Sequence, residues 1–388
     1  ARVYTFNMSN NIFNNAKKLG FGLMRLPSRS NKDGDINIEL CKKMVDCFME
    51  QGFTYFDTAL MYCGEKSESA AKEFLVDRYP RDKFTLTTKL HSAYIHSESD
   101  CEKVFNGQIE HTGAGYFDYY LVHDVNIHSL DTYDKLKVFD FVMQKKSEGL
   151  VRHVGFSFHD SPELLDKVLT EHPEMEFVQI QLNYLDYNNP GVRSKACYDV
   201  CVKHNKPIII MEPVKGGTLV NVGEEIETMF KKYNPKASIA SWAIRFAASH
   251  PGVEMVLSGM SNMEQIEDNT SYMKDFHPLN DEEKSIIRKA VKILSDSNAI
   301  PCTGCSYCTG GCPQKIAIPK YFALYNADLK QDPNGTAGWT IQLEYYANFT
   351  KSFGKASDCI SCGQCEEICP QHLAIIEHLK DVAVRFER

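Results

Sequence analysis

The chain has 388 residues, of which 43% are hydrophobic and 24% charged, and its net charge is −8. This length predicts two or three domains of an ordinary globular protein, and the acidic balance argues against nucleic acid as the main partner. No run of eighteen apolar residues and no apolar N-terminal segment occur, so the sequence predicts neither a membrane span nor a secretion signal and favours the cytoplasm.

From residue 19 to about residue 275, short apolar runs typical of strands alternate with longer amphipathic runs typical of helices. The predicted strands are Leu19–Met24, Thr54–Asp57, Phe84–Lys89, Phe117–His123, Val151–Ser157, Phe177–Leu182, Pro207–Met211 and Val253–Leu257. The predicted helices include Ile38–Gln51, Lys66–Arg78, Thr132–Glu148, Pro162–Glu171 and Pro235–His250. This alternation predicts an α/β fold, a (β/α)8 TIM barrel. A doubly wound sheet has fewer strands and is the alternative.

Composition changes at about residue 298, after one more predicted helix, Glu282–Ser295. We therefore expect a barrel domain over residues 1–298 and a small second domain over residues 299–388. The second domain holds eight of the fourteen cysteines and leaves little room for a conventional core. Its aromatic-rich insert, Pro319–Ala356, is expected to pack on the barrel, and a contribution to a pocket or a partner surface stays open.

The eight cysteines form two runs, each with the spacing Cys-x2-Cys-x2-Cys-x3-Cys-Pro. The first run is Cys302, Cys305, Cys308 and Cys312, and the second is Cys359, Cys362, Cys365 and Cys369. This is the bacterial ferredoxin spacing for two [4Fe–4S] clusters, in which the fourth cysteine of each run ligates the other cluster. The predicted ligand sets are Cys302, Cys305, Cys308 and Cys369 for one cluster, and Cys359, Cys362, Cys365 and Cys312 for the other.

Structural zinc and a disulfide framework are the alternatives to clusters. Zinc ligands normally come in pairs without a following proline, and no secretion signal supports disulfides. Because each cluster carries one electron at a time, the module predicts electron transfer, with a ferredoxin or another redox protein as a partner. A purely structural role for the clusters is the alternative. Exposed clusters also suggest an anaerobic or reducing environment.

Four polar residues lie at the ends of three successive predicted strands. Asp57 ends the second strand and Tyr62 follows it, Lys89 ends the third, and His123 ends the fourth. Active sites of barrel enzymes form at the carboxyl ends of the strands, so these groups are expected to converge. A lysine held by Asp57 would lower the pKa of the Tyr62 phenol, and His123 would donate a hydrogen bond to a carbonyl oxygen. Such a site protonates an alkoxide as hydride reaches the carbonyl carbon.

With these motifs, the chain resembles the aldo-keto reductase superfamily, in the branch with a C-terminal two-cluster ferredoxin domain. The resemblance covers about residues 19–275 for the barrel and 300–375 for the cluster domain. Asp57, Tyr62, Lys89 and His123 match the catalytic tetrad of the family in order and context. The resemblance implies that Tyr62 is the general acid and base and that the substrate is a small carbonyl or alcohol.

The same resemblance implies a nicotinamide cofactor, NAD(P)(H), although several segments depart from the family pattern. Phe158 replaces an asparagine, and Met211-Glu212-Pro213 replaces an aromatic residue with Ser-Pro. The implied cofactor contacts are Ser157, Gln179, Pro213, Gly216, Gly259, Ser261, Gln265 and Asn269. Between residues 259 and 269 there is no lysine or arginine to bind a 2′-phosphate, so NADH, NADPH and FMN all stay open.

Three functions are consistent with these features. The first is a carbonyl reductase or alcohol dehydrogenase that uses NAD(P)(H), with the clusters as auxiliary carriers. The second is a ferredoxin-linked reductase, with or without a flavin, in which the clusters supply electrons. The third is redox-neutral acid–base chemistry in the barrel, such as elimination of water, beside an electron-transfer module. We favour an oxidoreductase that acts at a carbonyl or carbinol carbon.

Overall fold

The computed structural model describes residues 11–30 and 32–388. Eight parallel strands form a closed barrel in which each strand pairs with its neighbours in chain order and β8 pairs with β1. The strands are β1 (Leu19–Gly22), β2 (Tyr55–Asp57), β3 (Thr85–His91), β4 (Phe117–Val125), β5 (Val151–Phe158), β6 (Phe177–Gln181), β7 (Ile208–Met211) and β8 (Val253–Gly259). The predicted barrel is confirmed, and the open doubly wound sheet is excluded because the sheet closes.

Aromatic side chains fill the amino-terminal end of the barrel. Phe13, from the segment before β1, stacks on Tyr119 with ring centroids 5.0 Å apart and meets Phe177 edge-on. The Tyr119 hydroxyl donates a hydrogen bond to the Ile12 carbonyl at 2.8 Å. At Gly155 a Cβ would lie 2.5 Å from the Phe177 carbonyl oxygen, so only glycine lets β5 and β6 approach this closely. This filling leaves the carboxyl ends of the strands for a pocket.

The helices of the barrel alternate with the strands. They are α1 (Ile38–Glu50), α2 (Ser67–Ala71), α3 (Glu98–Thr112), α4 (Leu130–Lys135), α5 (Val138–Ser147), α6 (Pro162–Glu171), α7 (Ser194–Lys203), α8 (Glu224–Tyr233), α9 (Ile239–Ala248), α10 (Met263–Met273) and α11 (Asp281–Asp296).

Three predicted helices have different bounds in the structure. The prediction of one helix over residues 132–148 is wrong. The segment forms two helices, α4 and α5, separated at Lys137, whose backbone is left-handed with φ 52°. The helix expected over residues 66–78 becomes α2 followed by one π-helical turn, Lys72–Val76. The helix expected from Pro235 begins at Ile239, because the Ser238 side chain caps its first turn.

The second domain contains α12 (Ile318–Gln331), α13 (Ile341–Thr350), α14 (Gln364–Glu367) and α15 (Ile375–Phe386). The expectation of little room for a core is wrong, because the aromatic insert supplies one. Tyr321, Phe322 and Tyr346 from the insert pack with Leu379 and Phe386 of α15, and all five are buried. The insert therefore gives the cysteine loops a folded support.

The insert also seats the second domain on the rim of the barrel, through α13. The His128 ring and the Ala347 carbonyl are hydrogen-bonded at 3.0 Å, and Lys351 Nζ donates to the Ile127 carbonyl at 2.7 Å. The Asn348 amide donates to the His159 carbonyl at 2.9 Å. These barrel residues follow β4 and β5, so α13 lies over the carboxyl ends of the strands.

None of the described helices is both long and apolar enough to cross a membrane.

Candidate active site and cluster cradles

The eight clustered cysteines divide into two groups of four, each around its own cavity. The first cavity is lined by Cys302, Cys305, Cys308 and Cys369, and the second by Cys312, Cys359, Cys362 and Cys365. The fourth cysteine of each run thus lies with the first three of the other run, as the spacing predicts. We refer to these groups as the first and second cradles.

Both cradles have features that suit a [4Fe–4S] cluster. The Gly304 amide points at the Cys302 sulfur at 3.5 Å, and the Ile316 amide points at the Cys312 sulfur at 3.4 Å. Such N–H groups stabilise the negative charge on cluster sulfurs and tune the reduction potential. Cys305 and Cys362 are exposed, so each cradle has one thiol at the protein surface.

The four residues predicted at the strand ends converge at the carboxyl end of the barrel. Lys89 Nζ donates to Asp57 Oδ1 at 2.7 Å, to the Thr58 carbonyl at 2.7 Å and to the Tyr62 hydroxyl at 3.2 Å. The Tyr62 ring meets the His123 ring edge-on at 6.1 Å. The order of strands β2, β3 and β4 around the barrel produces this cluster, because their ends are adjacent.

Burial and charge act in opposite directions on these groups. Burial alone would lower the pKa of Lys89, but the Asp57 carboxylate and the Tyr62 hydroxyl raise it, so the ammonium stays charged. Burial raises the pKa of Tyr62, and the Lys89 ammonium only partly opposes this effect. The Lys89 ammonium lowers the pKa of Tyr62 as expected, but burial outweighs it and the net shift is upward. Tyr62 therefore keeps its proton across the neutral range.

His123 is buried and neutral. Burial, followed by the Lys89 charge and the neighbouring His91, lowers its pKa well below the usual value. Its Nδ1 has no hydrogen-bond partner among the described residues. The Tyr133 hydroxyl donates to the His123 backbone carbonyl and fixes the end of β4. A neutral imidazole donates through one ring nitrogen, as hydrogen bonding to a substrate oxygen requires.

These groups open into a cavity of about 570 Å³. Large apolar side chains lie at its rim: Met24 is 43% exposed, Met61 is 38% exposed and Trp339 is 54% exposed. Trp339 belongs to the aromatic insert, as does Ile341, which also lines the cavity. The second domain therefore contributes part of the wall of the barrel pocket.

Three of the implied cofactor contacts, Ser157, Gln179 and Gly259, line this cavity. Gln179 is 3% exposed, and its Oε1 is buried without a hydrogen-bond donor among the described residues. Its Nε2 makes one long contact, 3.5 Å to the Met211 sulfur. Because buried amide groups are normally paired, Gln179 suits a ligand that carries an amide of its own, as nicotinamide does.

The other implied contacts lie outside the cavity lining. Pro213 is buried, and Gly216 lies in the loop after β7. The Ser261 hydroxyl donates to the Arg25 carbonyl, and Gln265 Oε1 accepts from the Ser261 amide at 2.6 Å. Asn269 is buried and is hydrogen-bonded to Ser258 and Tyr272. Asn269 therefore has its polar atoms engaged within the protein.

Arg25 is a site residue that the sequence reasoning missed. Its side chain crosses Gly259, where a Cβ would lie 3.3 Å from Arg25 Cδ, and a Cβ on Gly216 would lie 3.6 Å from Arg25 Nη2. Its guanidinium is 3.8 Å from Glu212 Oε1. A cation from the loop after β1 thus lies between the two glycine-containing loops after β7 and β8. Arg25 lies outside residues 259–269, the segment in which the family pattern places the cation.

A buried ion pair between Lys215 and Asp186 stabilises the loop after β7, one of the two loops beside Arg25. Asp186 Oδ1 accepts from Lys215 Nζ at 2.5 Å, and Asp186 Oδ2 accepts from the amides of Gln181 and Asn183, each at 2.7 Å. Gly216 and Gly217 follow Lys215 with φ 60° and 99°, a left-handed backbone that favours glycine. The contacts of Asp186 therefore stabilise the conformation of the loop after β7.

Asp124 and Glu344 are two further residues of the cavity that the sequence analysis did not identify. Asp124 follows His123 at the end of β4, and Glu344 lies on α13 of the second domain, yet both line the cavity. Asp124 N donates to Ser157 Oγ at 2.8 Å, and its carboxylate faces His91 Nε2 at 3.7 Å. No local pattern in the sequence marks either residue, because their proximity depends on how the two domains meet.

Comparison with protein families gives two matches. A model described as "Aldo/keto reductase family" matches residues 18–292, and one described as "4Fe-4S dicluster domain" matches residues 301–374. No curated protein sequence matches the chain.

Solved structures resemble the barrel. An aldo-keto reductase from Klebsiella pneumoniae in complex with NADPH is 17% identical, with a TM-score of 0.58 over 71% of this chain and 90% of that one. The holo form of an aldo-keto reductase from Bacillus halodurans is 20% identical, with a TM-score of 0.57 over 70% and 91%. An aldo/keto reductase from Brucella melitensis is 21% identical, with a TM-score of 0.54 over 70% and 94%. At these identities the likeness shows the fold.

The cradles predict a crossed pattern of iron loss. Cys302→Ser and Cys369→Ser should both disturb the first cluster, and Cys312→Ser should disturb the second. Each single variant, purified anaerobically, should fall from about eight irons per chain to about four. Cys47→Ser, outside the cradles, is the control and should retain all the iron. Unchanged iron in Cys369→Ser or Cys312→Ser would remove that residue from the ligands. The double variant Cys302→Ser/Cys369→Ser should still retain about four irons, and loss of all its iron would refute the crossed ligand sets.

The raised Tyr62 pKa predicts a pH profile for carbonyl reduction. The acid form of Tyr62 is present below its pKa and is lost above it, so reduction should persist until the pH exceeds the ordinary tyrosine value of about 10. Oxidation of the matching alcohol uses the phenolate and should rise over the same range. The profile of kcat/KM in both directions measures this. A loss of reduction centred well below that value would contradict the assignment.

Proposed function

The chain belongs to the aldo/keto reductase family, and we propose that it reduces the carbonyl group of a small molecule, or in reverse oxidises an alcohol, with Tyr62 as the proton donor. The observation that carries this proposal is the Lys89 ammonium, which donates to Asp57, to the Thr58 carbonyl and to Tyr62, whose side chain lines the cavity. These contacts hold the Tyr62 hydroxyl beside a positive charge, which suits transfer of its proton to a substrate oxygen.

Each member of the tetrad has a distinct task in this reaction. Asp57 neutralises and orients Lys89, and Lys89 stabilises the Tyr62 phenolate that forms when the proton leaves. His123, neutral and on the adjacent strand, donates a hydrogen bond to the substrate oxygen and fixes its direction. The developing negative charge on that oxygen thus lies between two donors whose positions the strands determine.

A nicotinamide dinucleotide is the cofactor that the barrel suits best. When bound, it supplies or accepts the hydride at the carbonyl carbon. Gln179 Oε1, which has no donor among the described residues, and the nearby Ser157 fit its carboxamide. The related enzyme from Klebsiella pneumoniae was solved with NADPH, which supports the same choice here.

Arg25 supplies the positive charge that such a dinucleotide needs. It lies between Gly216 and Gly259: a side chain at Gly259 would crowd its aliphatic stem, and one at Gly216 would touch its guanidinium. Glycine backbones beside a guanidinium form a recognised setting for phosphate oxygens. We assign Arg25 to the pyrophosphate, because it lines the same cavity as Tyr62 rather than a more distant site.

A ferredoxin-linked reduction is the second candidate, and one observation favours it. Residues of the cluster domain, Trp339, Ile341 and Glu344, line the catalytic cavity directly. If the cluster domain packed on another face of the barrel, its residues would not line the barrel pocket. In this candidate the clusters supply electrons, and the tetrad keeps its role in proton transfer.

Removing the Tyr62 hydroxyl tests the proposed function. Tyr62→Phe should lower carbonyl reduction at least about a hundredfold, because the proton donor is lost while the ring is kept. Turnover of a panel of aldehydes with NADH and NADPH measures this. Tyr94→Phe is the control, since it removes a hydroxyl that binds Glu65 on the barrel surface. A loss of less than about threefold in Tyr62→Phe would remove Tyr62 from this role.

Arg25→Gln tests the cofactor assignment by binding alone. It should weaken NADH and NADPH by about tenfold each, because a charge-assisted contact to the shared pyrophosphate is lost. Calorimetric titration of the protein measures both affinities. Arg29→Gln, in the same loop and paired with Asp35, is the control. A loss confined to NADPH would assign Arg25 to the 2′-phosphate, and no loss would exclude it from the cofactor site.

A further inference from the structure

Two carboxyl groups from different domains meet at the wall of the catalytic cavity. The side chains of Asp124 and Glu344 are within hydrogen-bond distance of each other, and both line the cavity. Glu344 Oε1 is buried and has no donor among the described residues. Two ionised carboxylates repel at this distance, so the contact requires one shared proton.

The surroundings determine where this proton lies. Asp124 Oδ1 accepts from the Asn126 amide at 3.1 Å, and Asp124 Oδ2 faces His91 Nε2 at 3.7 Å. Burial would raise the pKa of Asp124, but the contact with His91 holds it below the usual range. Burial and the Asp124 carboxylate raise the pKa of Glu344 to about 10. The proton therefore belongs to Glu344.

Other ionisable groups also face the pair. His91 comes from β3, His123 from β4, and His159 and Asp160 from the end of β5 and the loop after it. The pKa of His159 is lowered by burial, so its imidazole is neutral near pH 7. These groups leave the pair with a single negative charge on Asp124 and one proton on Glu344.

The chemistry of carbonyl reduction shows what a second acid is for. Hydride transfer brings two electrons and the new carbon-bound hydrogen together, so it needs only one proton, which goes to the oxygen. Reduction by single electrons brings no hydrogen, so it needs two protons, one for the oxygen and one for the carbon. The tetrad supplies one of them.

We propose that Glu344 is a second acid of this active site, which supplies the additional proton that reduction by single electrons requires. This inference rests on the proposed carbonyl reduction in its ferredoxin-linked form, in which the clusters supply the electrons. The π bond of the carbonyl group breaks, an O–H bond forms with the proton of Tyr62, and a C–H bond forms with the proton of Glu344. The two electrons come from two reduced [4Fe–4S] clusters, each of which is oxidised by one electron.

The position of Glu344 links this proton to the cluster domain. Glu344 lies on α13, which the hydrogen bonds of Asn348 and Lys351 fix to the barrel loops after β4 and β5. Glu344 is therefore present in the cavity only when the cluster domain is seated. The carboxylate left after donation lies beside the Asp124 carboxylate, and their repulsion favours uptake of a new proton from solvent.

The first experiment detects the proton without turnover. The infrared spectrum of the intact cluster-loaded protein should contain the C=O stretch of a protonated carboxyl group near neutral pH. This band should disappear in Glu344→Gln and should persist in Asp33→Asn, which changes an exposed carboxylate at the same cavity. A spectrum without this band, or a band that Glu344→Gln retains, would overturn the proposal.

The second experiment separates the acid from a structural clamp between the domains. Glutamine at residue 344 still hydrogen-bonds Asp124 but has no proton to give. Glu344→Gln should therefore lower reduction driven by reduced methyl viologen, a one-electron donor, about a hundredfold. Reduction driven by NADPH should fall far less in the same variant, so the ratio of viologen-driven to NADPH-driven turnover reports the second acid. Glu344→Ala, which loses both the contact and the acid, provides the comparison.

The outcomes distinguish this inference from the function on which it rests. If Tyr62→Phe abolishes both activities and Glu344→Gln lowers the ratio of viologen-driven to NADPH-driven turnover about a hundredfold, the second acid is supported. If Glu344→Gln behaves as the parent protein with both donors, or lowers both equally, the proposal is overturned while the carbonyl reductase stands. If the parent protein reduces no carbonyl with either donor, the proposed function fails and the role of Glu344 fails with it.

Discussion

The ammonium group of Lys89 is buried at the carboxyl end of the barrel, and a buried charge requires compensation. Removing one partner of such an ion pair destabilises a protein by about 3–5 kcal/mol. Asp57 and the Thr58 carbonyl provide the compensation, and the remaining donor of Lys89 reaches Tyr62. The arrangement of Asp57, Tyr62 and Lys89 is thus a consequence of how one charge is compensated inside the barrel.

The second domain completes the pocket rather than standing apart from it. Its aromatic insert forms a core of its own, supports both cysteine cradles and brings α13 over the rim of the barrel. Trp339, Ile341 and Glu344 then line the same cavity as Tyr62. The cysteine loops and the side chains of the cavity are therefore connected through one folded segment, and a change in the seating of α13 affects both.

Charge in the cavity is arranged in three local pairs. Lys89 compensates Asp57, Arg25 faces Glu212, and Asp124 lies against Glu344. The first two pairs consist of opposite charges, whereas the third consists of two carboxyl groups, which repel each other when both are ionised. This difference underlies both the proposed anion position near Arg25 and the proposed second acid.

The sequence by itself determined the barrel, the two groups of cysteines and the convergence of the tetrad. Each depends on a short pattern: apolar runs of strand length, fixed gaps between cysteines, or polar residues at strand ends that the barrel order makes adjacent. It could not give the break at Lys137, the core of the second domain, Arg25, or the sign of the Tyr62 pKa shift. Only the tertiary structure decided the contact of Asp124 with Glu344 and the position of Arg25 between Gly216 and Gly259. These residues are far apart in the chain, and packing between loops and domains, not a local pattern, brings them together.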